Sequence, residues 1–241
     1  MELKNKWVLV TGASRGVGRE MARSMARLGA NIILQSRDVF HTKPLETELQ
    51  KLGVQTLSFA CDLESEKSIQ GMLKAIDDAK VRVDFVFNNA GIQVPYCEDY
   101  FVPKREDYLK AYAVNCLAPV QIAYHFLPKM VQNGFGRIVM TTSGIADQPE
   151  LMGYACSKAG LNAFVKDFAV KLNGTNVMMN LLDPGWLQTD LGGPNAPNTV
   201  ETVIPGALVG ALLEDKKSGR WFSAQEFAGL SPEAALEKAS K

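Results

Sequence analysis

The chain has 241 residues, of which 46% are hydrophobic and 22% are charged, and its 26 acidic and 26 basic side chains leave no formal net charge. This composition is typical of a folded globular protein and provides no overall field to attract nucleic acid or an anionic membrane. Because the longest apolar runs are only as long as a strand, the sequence predicts neither a transmembrane helix nor an N-terminal secretion signal.

The four cysteines are scattered without a C-x-x-C pair, and the chain has only two histidines. This pattern favours reduced thiols in a cytoplasmic protein over a disulfide framework, and it predicts no metal site. The length fits one large domain, so residues 1–241 are predicted to form a single folding unit.

Short apolar runs alternate along the chain with longer segments whose apolar residues recur at helical spacing. The predicted strands span residues 7–10, 31–34, 54–59, 83–87, 137–140, 177–182 and 220–222. Two predicted helices end near residues 29 and 53, and two more cover 64–79 and 153–172. Residues 104–131 are predicted to form two helices, which Pro119 and Pro128 limit or bend. The alternation predicts an α/β fold, a doubly wound parallel sheet of about seven strands with helices on both faces.

The first strand is followed directly by a glycine-rich segment, Thr11-Gly12-Ala13-Ser14-Arg15-Gly16-Val17-Gly18. Glycines at a strand-to-helix turn let the backbone approach a pyrophosphate, whose charge is stabilised by the helix N-terminus. The spacing is G-x-x-x-G-x-G rather than G-x-G-x-x-G. The segment predicts a dinucleotide site, against the alternative of a plain glycine-rich turn.

The second strand ends in Gln35-Ser36-Arg37. An acidic residue at this point would accept a hydrogen bond from the adenosine 2′-hydroxyl and select NAD. Here a serine stands next to Arg37, and Arg15 is expected nearby, so two guanidinium groups favour a 2′-phosphate and therefore NADP(H) over NAD. Two alternatives remain open: Arg37 is a solvated surface residue, or Asp38, slightly later in the chain, permits NAD use.

Polar and small residues also follow the third and fourth strands. Asp62, which precedes Leu63, accepts from an adenine amino group or caps the next helix. The run Asn88-Asn89-Ala90-Gly91 lines a cofactor ribose or shapes a turn. Asn115 lies within a predicted helix, where asparagine is disfavoured, so a bond to backbone or to a water would explain it.

The last two central strands end in further candidates. Ser143 follows the fifth strand as a hydroxyl that either holds a carbonyl oxygen or caps a helix. The segment 183–199 follows the sixth strand and is long enough to predict a functional loop at the ligand-binding edge of the sheet. Its candidate residues are Pro184, Gly185 and Thr189.

Tyr154 and Lys158 are four residues apart and therefore share one face of a helix. An ammonium group beside a phenol favours the phenolate and is expected to lower the pKa of Tyr154, which would let it exchange protons near pH 7. A Y-x-x-x-K match alone also occurs by chance on surface helices, so its neighbours in the chain decide the interpretation.

Taken in order, these motifs resemble the short-chain dehydrogenase/reductase family over residues 6–222. The matching residues are Gly12, Gly16, Gly18, Asn88, Asn89, Ala90, Gly91, Asn115, Ser143, Tyr154, Lys158, Pro184 and Gly185. Residues 185–196 are similar to the carbonyl-reductase-like branch that includes C-factor-type proteins. The connection from Ser143 to Tyr154 is shorter than in many relatives. The sequence therefore does not determine the shape of the pocket that residues 144–152 form.

The resemblance implies a catalytic tetrad. Tyr154 would protonate the carbonyl oxygen or accept the alcohol proton, Lys158 would tune Tyr154 and bind the nicotinamide ribose, and Ser143 would orient the substrate oxygen. Asn115 would hold a water in the proton relay. The implied cofactor site comprises Gly12, Ser14, Arg15, Gly16, Val17, Gly18, Arg37, Asp62, Leu63, Asn89, Ala90, Gly91, Tyr154, Lys158, Pro184, Gly185 and Thr189.

The first hypothesis is an NADP(H)-dependent oxidoreductase acting on a small or medium carbonyl or secondary alcohol. A second is a dinucleotide-binding sensor or signalling protein with incidental catalysis, and a third keeps the fold but makes the chain an epimerase or dehydratase. The resemblance also implies a homodimer or homotetramer, whose interface the 153–172 helix would form unless it only packs on the sheet. Residues 231–241 are expected to form a surface helix or a frayed tail.

Overall fold

The computed structural model describes residues 3–241, and its centre is one parallel sheet of seven strands in the order β3-β2-β1-β4-β5-β6-β7. The predicted doubly wound α/β fold is confirmed. The strands are β1 (Trp7–Val10), β2 (Asn31–Ser36), β3 (Thr56–Ala60), β4 (Val83–Asn88), β5 (Gly136–Thr141), β6 (Val177–Asp183) and β7 (Trp221–Ser223).

Eight α-helices are described on the two faces of the sheet and at its β7 edge. They are α1 (Gly16–Arg27), α2 (Lys43–Gln50), α3 (Glu66–Asp78), α4 (Arg105–Tyr112), α5 (Ala118–Gln132), α6 (Met152–Ala169), α7 (Gly206–Leu212) and α8 (Pro232–Ser240). Of the two alternatives for the C-terminal segment, the structure has the helix: Ser231 accepts from the Ala234 N–H at 3.2 Å, and Ala235 is buried.

The two prolines expected to limit or bend the helices before β5 both lie in α5, one at its start and one in its interior. The break between α4 and α5 is a π-helical turn, Ala113–Leu117, which ends before Pro119. Pro119 lies in the first turn of α5, where a missing N–H costs little. Pro128 lies inside α5 without ending it, because its side of the helix is exposed and water can satisfy the carbonyl that it leaves free.

Alternate residues of the central strands face opposite layers of helices, as the period of a strand requires. Leu9 of β1 packs in a core with buried residues of α3, α5 and α6, such as Ile122 and Leu161. Its neighbours Val8 and Val10 pack in a second core beneath α1, α2 and α7. Burying one such side chain contributes roughly 1.5–3 kcal/mol to the free energy of folding. The helices on both faces therefore stabilise the sheet.

The strand order reverses at β1, which pairs with β2 on one side and β4 on the other. In sheets of this kind a crevice forms at the carboxyl ends of the strands beside the reversal, and ligands bind there. The glycine-rich segment and residues 88–91 both lie at this crevice. Among residues 3–241, no helix combines the length and the apolar character that crossing a bilayer requires.

Candidate active site

The glycine-rich segment between β1 and α1 is held in a narrow turn. Gly12 has φ +65°, and a Cβ added there would lie 2.9 Å from Ala90 Cα, so a larger residue would be both strained and obstructed. No side chain caps the N-terminus of α1, and its first turn holds no acidic residue. The free N–H groups of this turn therefore face the crevice as donors for an anion. Ser14 and Val17 are half-buried in the same turn.

Residues 88–91 brace this turn. The Thr11 hydroxyl oxygen accepts from the N–H groups of Asn89 and Ala90 at 3.0 Å each, and Asn89 Nδ2 donates to the Thr11 carbonyl, also at 3.0 Å. The Asn89 amide is thus engaged by protein backbone, which favours the turn-shaping alternative for this side chain. Its predicted contact with a cofactor ribose stays a prediction.

The predicted 2′-phosphate residues do not touch each other. Arg37 is exposed and forms no ion pair within residues 3–241, whereas Arg15 Nη1 lies 2.5 Å from Asp190 Oδ2. The Asp38 carboxylate accepts from the Phe40 N–H at 2.9 Å and caps a short 3-10 turn. One oxygen of Asp38 is therefore engaged in local structure. Both arginines are exposed to solvent, Arg37 after the end of β2 and Arg15 in the turn after β1.

Asp62 is exposed after β3 and accepts from the Glu64 N–H at 3.0 Å. It does not cap α3, because Ser65 does so by accepting from the Ser68 N–H at 3.3 Å. The helix-cap alternative for Asp62 is therefore wrong in this structure. Leu63, beside it, is buried in the core.

Lys158 lies on α6 with its side chain only 4% exposed, and its Nζ donates to the Thr141 carbonyl at 2.7 Å. Burial lowers the pKa of Lys158 to about 8, and the charge of the nearby Cys116 thiolate would offset part of this effect. The Nζ is 5.8 Å from the centre of the Tyr154 ring. The predicted pairing of the two residues on one helix face is thus present.

The pKa of Tyr154, however, moves opposite to the expectation. Burial raises it above its ordinary value; an interaction with the Ser143 hydroxyl lowers it, and the charge of Asp183 raises it further. Lys158 does not act as expected because its ammonium group is directed to the Thr141 carbonyl rather than to the phenolic oxygen. The phenol is therefore protonated at neutral pH and available as a proton donor.

Asn115 lies in the π-helical turn and is 1% exposed. Its Oδ1 accepts from the Ile92 N–H at 2.8 Å, and its Nδ2 donates to the Ile92 carbonyl at 2.9 Å and to Ser157 Oγ at 3.0 Å. These bonds are the backbone function that an asparagine within a helix led us to expect. Its role in holding a water is not tested by them.

The fourth member of the predicted tetrad, Ser143, is half-buried immediately after β5, and its Oγ accepts from the Ile145 N–H at 3.2 Å. The conformation of the segment 144–152 was not predicted from the sequence. In the structure this segment continues through a 3-10 turn, Pro149–Leu151, into α6. The Cys97 N–H donates to the Glu150 carbonyl at 3.0 Å and ties this segment to the chain after β4.

The segment 183–199 folds back over the glycine-rich turn. A Cβ added to Gly16 would lie 3.5 Å from the methyl group of Thr189. Gly185 has φ +79°, and Gln225 Nε2 donates to the Pro184 carbonyl at 2.9 Å, which fixes the start of the segment. The structure thus brings together the first and last of the predicted cofactor segments.

The two halves of the candidate site meet at Gly91. A Cβ added to Gly91 would lie 3.2 Å from Asn115 Oδ1 and 3.4 Å from Lys158 Nζ. Residues 88–91 therefore touch the glycine-rich turn on one side and the predicted tetrad on the other.

One residue of this site was missed by the sequence interpretation, which treated Asp183 only as the start of a loop. Asp183 ends β6, and its charge reaches Tyr154. An acidic residue at a strand end directly before Pro-Gly was the available signal, but a single carboxylate at such a position does not distinguish a turn from a site.

The geometry agrees with the comparisons to known proteins. A family model described as short chain dehydrogenase matches residues 6–199. The 7alpha-hydroxysteroid dehydrogenase of Escherichia coli strain K12 is 29% identical over 192 residues, which are 79% of this chain and 74% of that protein. The 3-oxoacyl-[acyl-carrier-protein] reductase of Aquifex aeolicus is 31% identical over 196 residues, 79% of this chain and 77% of that protein.

Solved structures give the same result. A metagenomic short-chain oxidoreductase in complex with NADP matches with TM-score 0.71 and 31% identity, over 77% of this chain and 84% of that one. An NAD+-bound xylitol dehydrogenase shares the fold, with TM-score 0.81 and 21% identity over 92% and 98% of the two chains. The chain belongs to the short-chain dehydrogenase family, and it is an oxidoreductase of that family.

Proposed function

We propose that the protein transfers a hydride between NADP(H) and a small or medium carbonyl compound or secondary alcohol, with Tyr154 as the general acid or base. The observation that carries this proposal is the protonated, buried phenol of Tyr154 next to Ser143, in a site joined through Gly91 to the glycine-rich turn. A proton donor and a dinucleotide cradle at one edge of the sheet are what carbonyl reduction requires.

The residues present fit a dinucleotide. The turn at Gly12 has no room for a side chain, and the first N–H groups of α1 have no capping partner. We propose the remaining predicted cofactor contacts, among them those of Ser14, Asp62 and Thr189, because these residues lie along the same crevice. When bound, the nicotinamide supplies or accepts the hydride.

Each member of the tetrad then has a separate task. Ser143 orients the substrate oxygen, and Tyr154 donates the proton to that oxygen during reduction or removes it during oxidation. Lys158, fixed to the Thr141 carbonyl, binds the nicotinamide ribose. Asn115 fixes the chain at Ile92 and positions a water of the proton relay.

The preference for NADP(H) over NAD is proposed on the serine that ends β2 and the arginine that follows it. Ser36 donates to the Asp38 carbonyl at 2.5 Å, and the Asp38 carboxylate caps the next turn. Arg37 remains exposed and unpaired within the described chain, so it is available to a 2′-phosphate. The NADP complex of the metagenomic relative supports this choice.

Substitution of Tyr154 by phenylalanine tests the proposal. The protein is mixed with NADPH and a panel of ketones and aldehydes, and the absorbance of the reduced cofactor is followed. We expect Tyr154→Phe to lower kcat by about 10²–10⁴-fold, since it removes only the transferable proton, while the Kd for NADPH stays within about twofold of wild type.

The matched control is Tyr124→Phe, which removes the hydroxyl of a tyrosine that is 52% exposed on α5 and should leave kcat unchanged. Full activity of Tyr154→Phe would refute the assignment of the acid. Tight NADPH binding without turnover of any carbonyl compound would instead support the sensor hypothesis.

We also propose that the protein is cytoplasmic, consists of one domain, and forms a homodimer or homotetramer through its long helices. Leu117 at the start of α5 and Val170 after α6 are 55% and 62% exposed, which supports a covered helix face. Light scattering coupled to size exclusion measures the mass in solution directly. The similarity of residues 185–196 to carbonyl-reductase-like proteins stays a prediction.

A further inference from the structure

The carboxylate of Asp183 contacts two backbone positions, one after β6 and one after β5. Its Oδ1 accepts from the Gly185 N–H at 3.0 Å, at the start of the segment that folds over the cofactor crevice. Its Oδ2 faces Gly144, where an added Cβ would lie only 2.7 Å away. Gly144 directly follows Ser143, so this oxygen reaches the residue next to the proposed holder of the substrate oxygen.

The charge of this carboxylate is not neutralised by the protein. Among residues 3–241, no lysine, arginine or histidine forms an ion pair with Asp183, and the one basic residue of the tetrad, Lys158, donates to the Thr141 carbonyl instead. Asp183 is half-buried and Gly144 is exposed, so the carboxylate is partly shielded from water and lies beside an exposed part of the chain. Its charge also raises the pKa of Tyr154, as a carboxylate near the phenol would.

We propose that Asp183 binds a positively charged amino group of the substrate, and that the substrate class is therefore amino ketones or the corresponding amino alcohols. This inference rests on the proposed oxidoreductase function. Ser143 and Tyr154 hold the carbonyl oxygen, and the free Oδ2 accepts a charge-assisted hydrogen bond from an ammonium group attached a few atoms away. A substrate with a carboxylate at the same place would be repelled, because like charges in a partly desolvated pocket interact strongly.

Three ketones of similar size test the inference: 4-amino-2-butanone, which is protonated at pH 7, neutral 2-pentanone, and anionic acetoacetate. The value of kcat/KM is measured for each with saturating NADPH at pH 7. Wild type should prefer the ammonium ketone to the neutral one by roughly tenfold, the factor that one charged hydrogen bond provides, and should discriminate against the carboxylate by a similar factor. This order is a test that needs no variant.

Asp183→Asn removes the charge and keeps an oxygen to accept from the Gly185 N–H. The ratio of kcat/KM for the ammonium ketone to that for acetoacetate should fall by about tenfold or more. The control is Asp167→Asn, on the exposed face of α6 about 20 Å along the helix from Tyr154 by its rise per residue. This control should leave the ratio unchanged.

The outcomes separate this inference from the function on which it rests. Turnover of 2-pentanone without a preference for the ammonium ketone, or a preference that Asp183→Asn leaves intact, would overturn the inference alone. The absence of NADPH- or NADH-dependent turnover with all three ketones and with the wider carbonyl panel would overturn both. Should Asp183→Asn fail to fold, the order of the three ketones in wild type decides.

Discussion

Lys158 shows at the scale of one residue how tertiary burial changes chemistry that the sequence predicts. The i, i+4 spacing correctly places Lys158 and Tyr154 on one face of α6, because helix geometry fixes that relation locally. The direction of the ammonium group is different: it depends on the Thr141 carbonyl at the end of β5, which comes from another part of the chain. The pKa of Tyr154 is raised rather than lowered because the side chain is buried, and burial is a property of the assembled fold that local spacing does not show.

The pKa of Lys158 gives a pH dependence of stability with a definite sign. In the folded chain it is lowered to about 8 from the ordinary value of 10.5. Between these values the unfolded chain binds more protons than the folded chain, so the free energy of unfolding rises with pH across this window and the charged lysine destabilises the fold below it. The difference in free energy of unfolding between wild type and Lys158→Met should therefore increase by about 2 kcal/mol from pH 7.5 to pH 9.5.

Urea denaturation at the two pH values, without cofactor, measures this difference. Lys166→Met, an exposed position on the same helix, is the control and should show no such change. If the difference in free energy of unfolding between wild type and Lys158→Met stayed constant or decreased with pH, burial would not lower the pKa of Lys158.

At the scale of elements, contiguous apolar runs made the central strands predictable, because the central strands of a parallel sheet are buried on both faces. Helix α7 was not predicted: its sequence, GALVGAL, is apolar or glycine throughout, so it shows no helical period. The π-helical turn before α5 was not predicted either, although its most informative residue, Asn115, was identified as out of place in a helix. The backbone of Ile92 holds Asn115 in place. Ile92 lies in a loop, and nothing in the loop sequence indicates this contact.

Asn115→Ala tests whether the π-helical turn depends on this bond pair. The substitution removes both bonds to Ile92 and the bond to Ser157 and leaves a small cavity in a buried place. We expect a loss of about 3 kcal/mol in the free energy of unfolding, measured with urea. Asn133→Ala at the exposed end of α5, where the side chain caps nothing, should cost less than about 0.5 kcal/mol; an equal loss in both variants would refute the special role of Asn115.

At the scale of the whole molecule, the reversal of strand order at β1 explains why motifs distant in the chain form one site. The glycine-rich turn, residues 88–91 and Ser143 were predicted from the sequence because each lies directly after a strand, and parallel strands end at one edge. Contacts between surface loops were not predictable in this way. The ion pair of Arg15 with Asp190 joins the turn after β1 to the segment after β6, and neither sequence context indicates the other.

This ion pair makes a prediction about cofactor choice. Both side chains are about two-thirds exposed, so the pair contributes less than about 1 kcal/mol to stability. It does, however, engage the guanidinium group that we propose for the 2′-phosphate, and Asp190 therefore competes with NADPH for Arg15. Asp190→Asn should lower the Kd for NADPH by about two- to threefold with a smaller effect on NADH, whereas Arg15→Gln should raise the Kd for NADPH by about tenfold.

Fluorescence titration of both reduced cofactors at fixed ionic strength measures these constants, since surface electrostatics depend on salt. Glu237→Gln, which removes the exposed ion pair with Lys241 on α8, is the matched control and should change neither constant. If Asp190→Asn weakened NADPH and NADH binding equally, Asp190 would be holding the segment 183–199 in place rather than competing for Arg15. If Arg15→Gln left the preference for NADPH intact, the discrimination would rest on Arg37 alone, because no other guanidinium group has been placed at the end of β2.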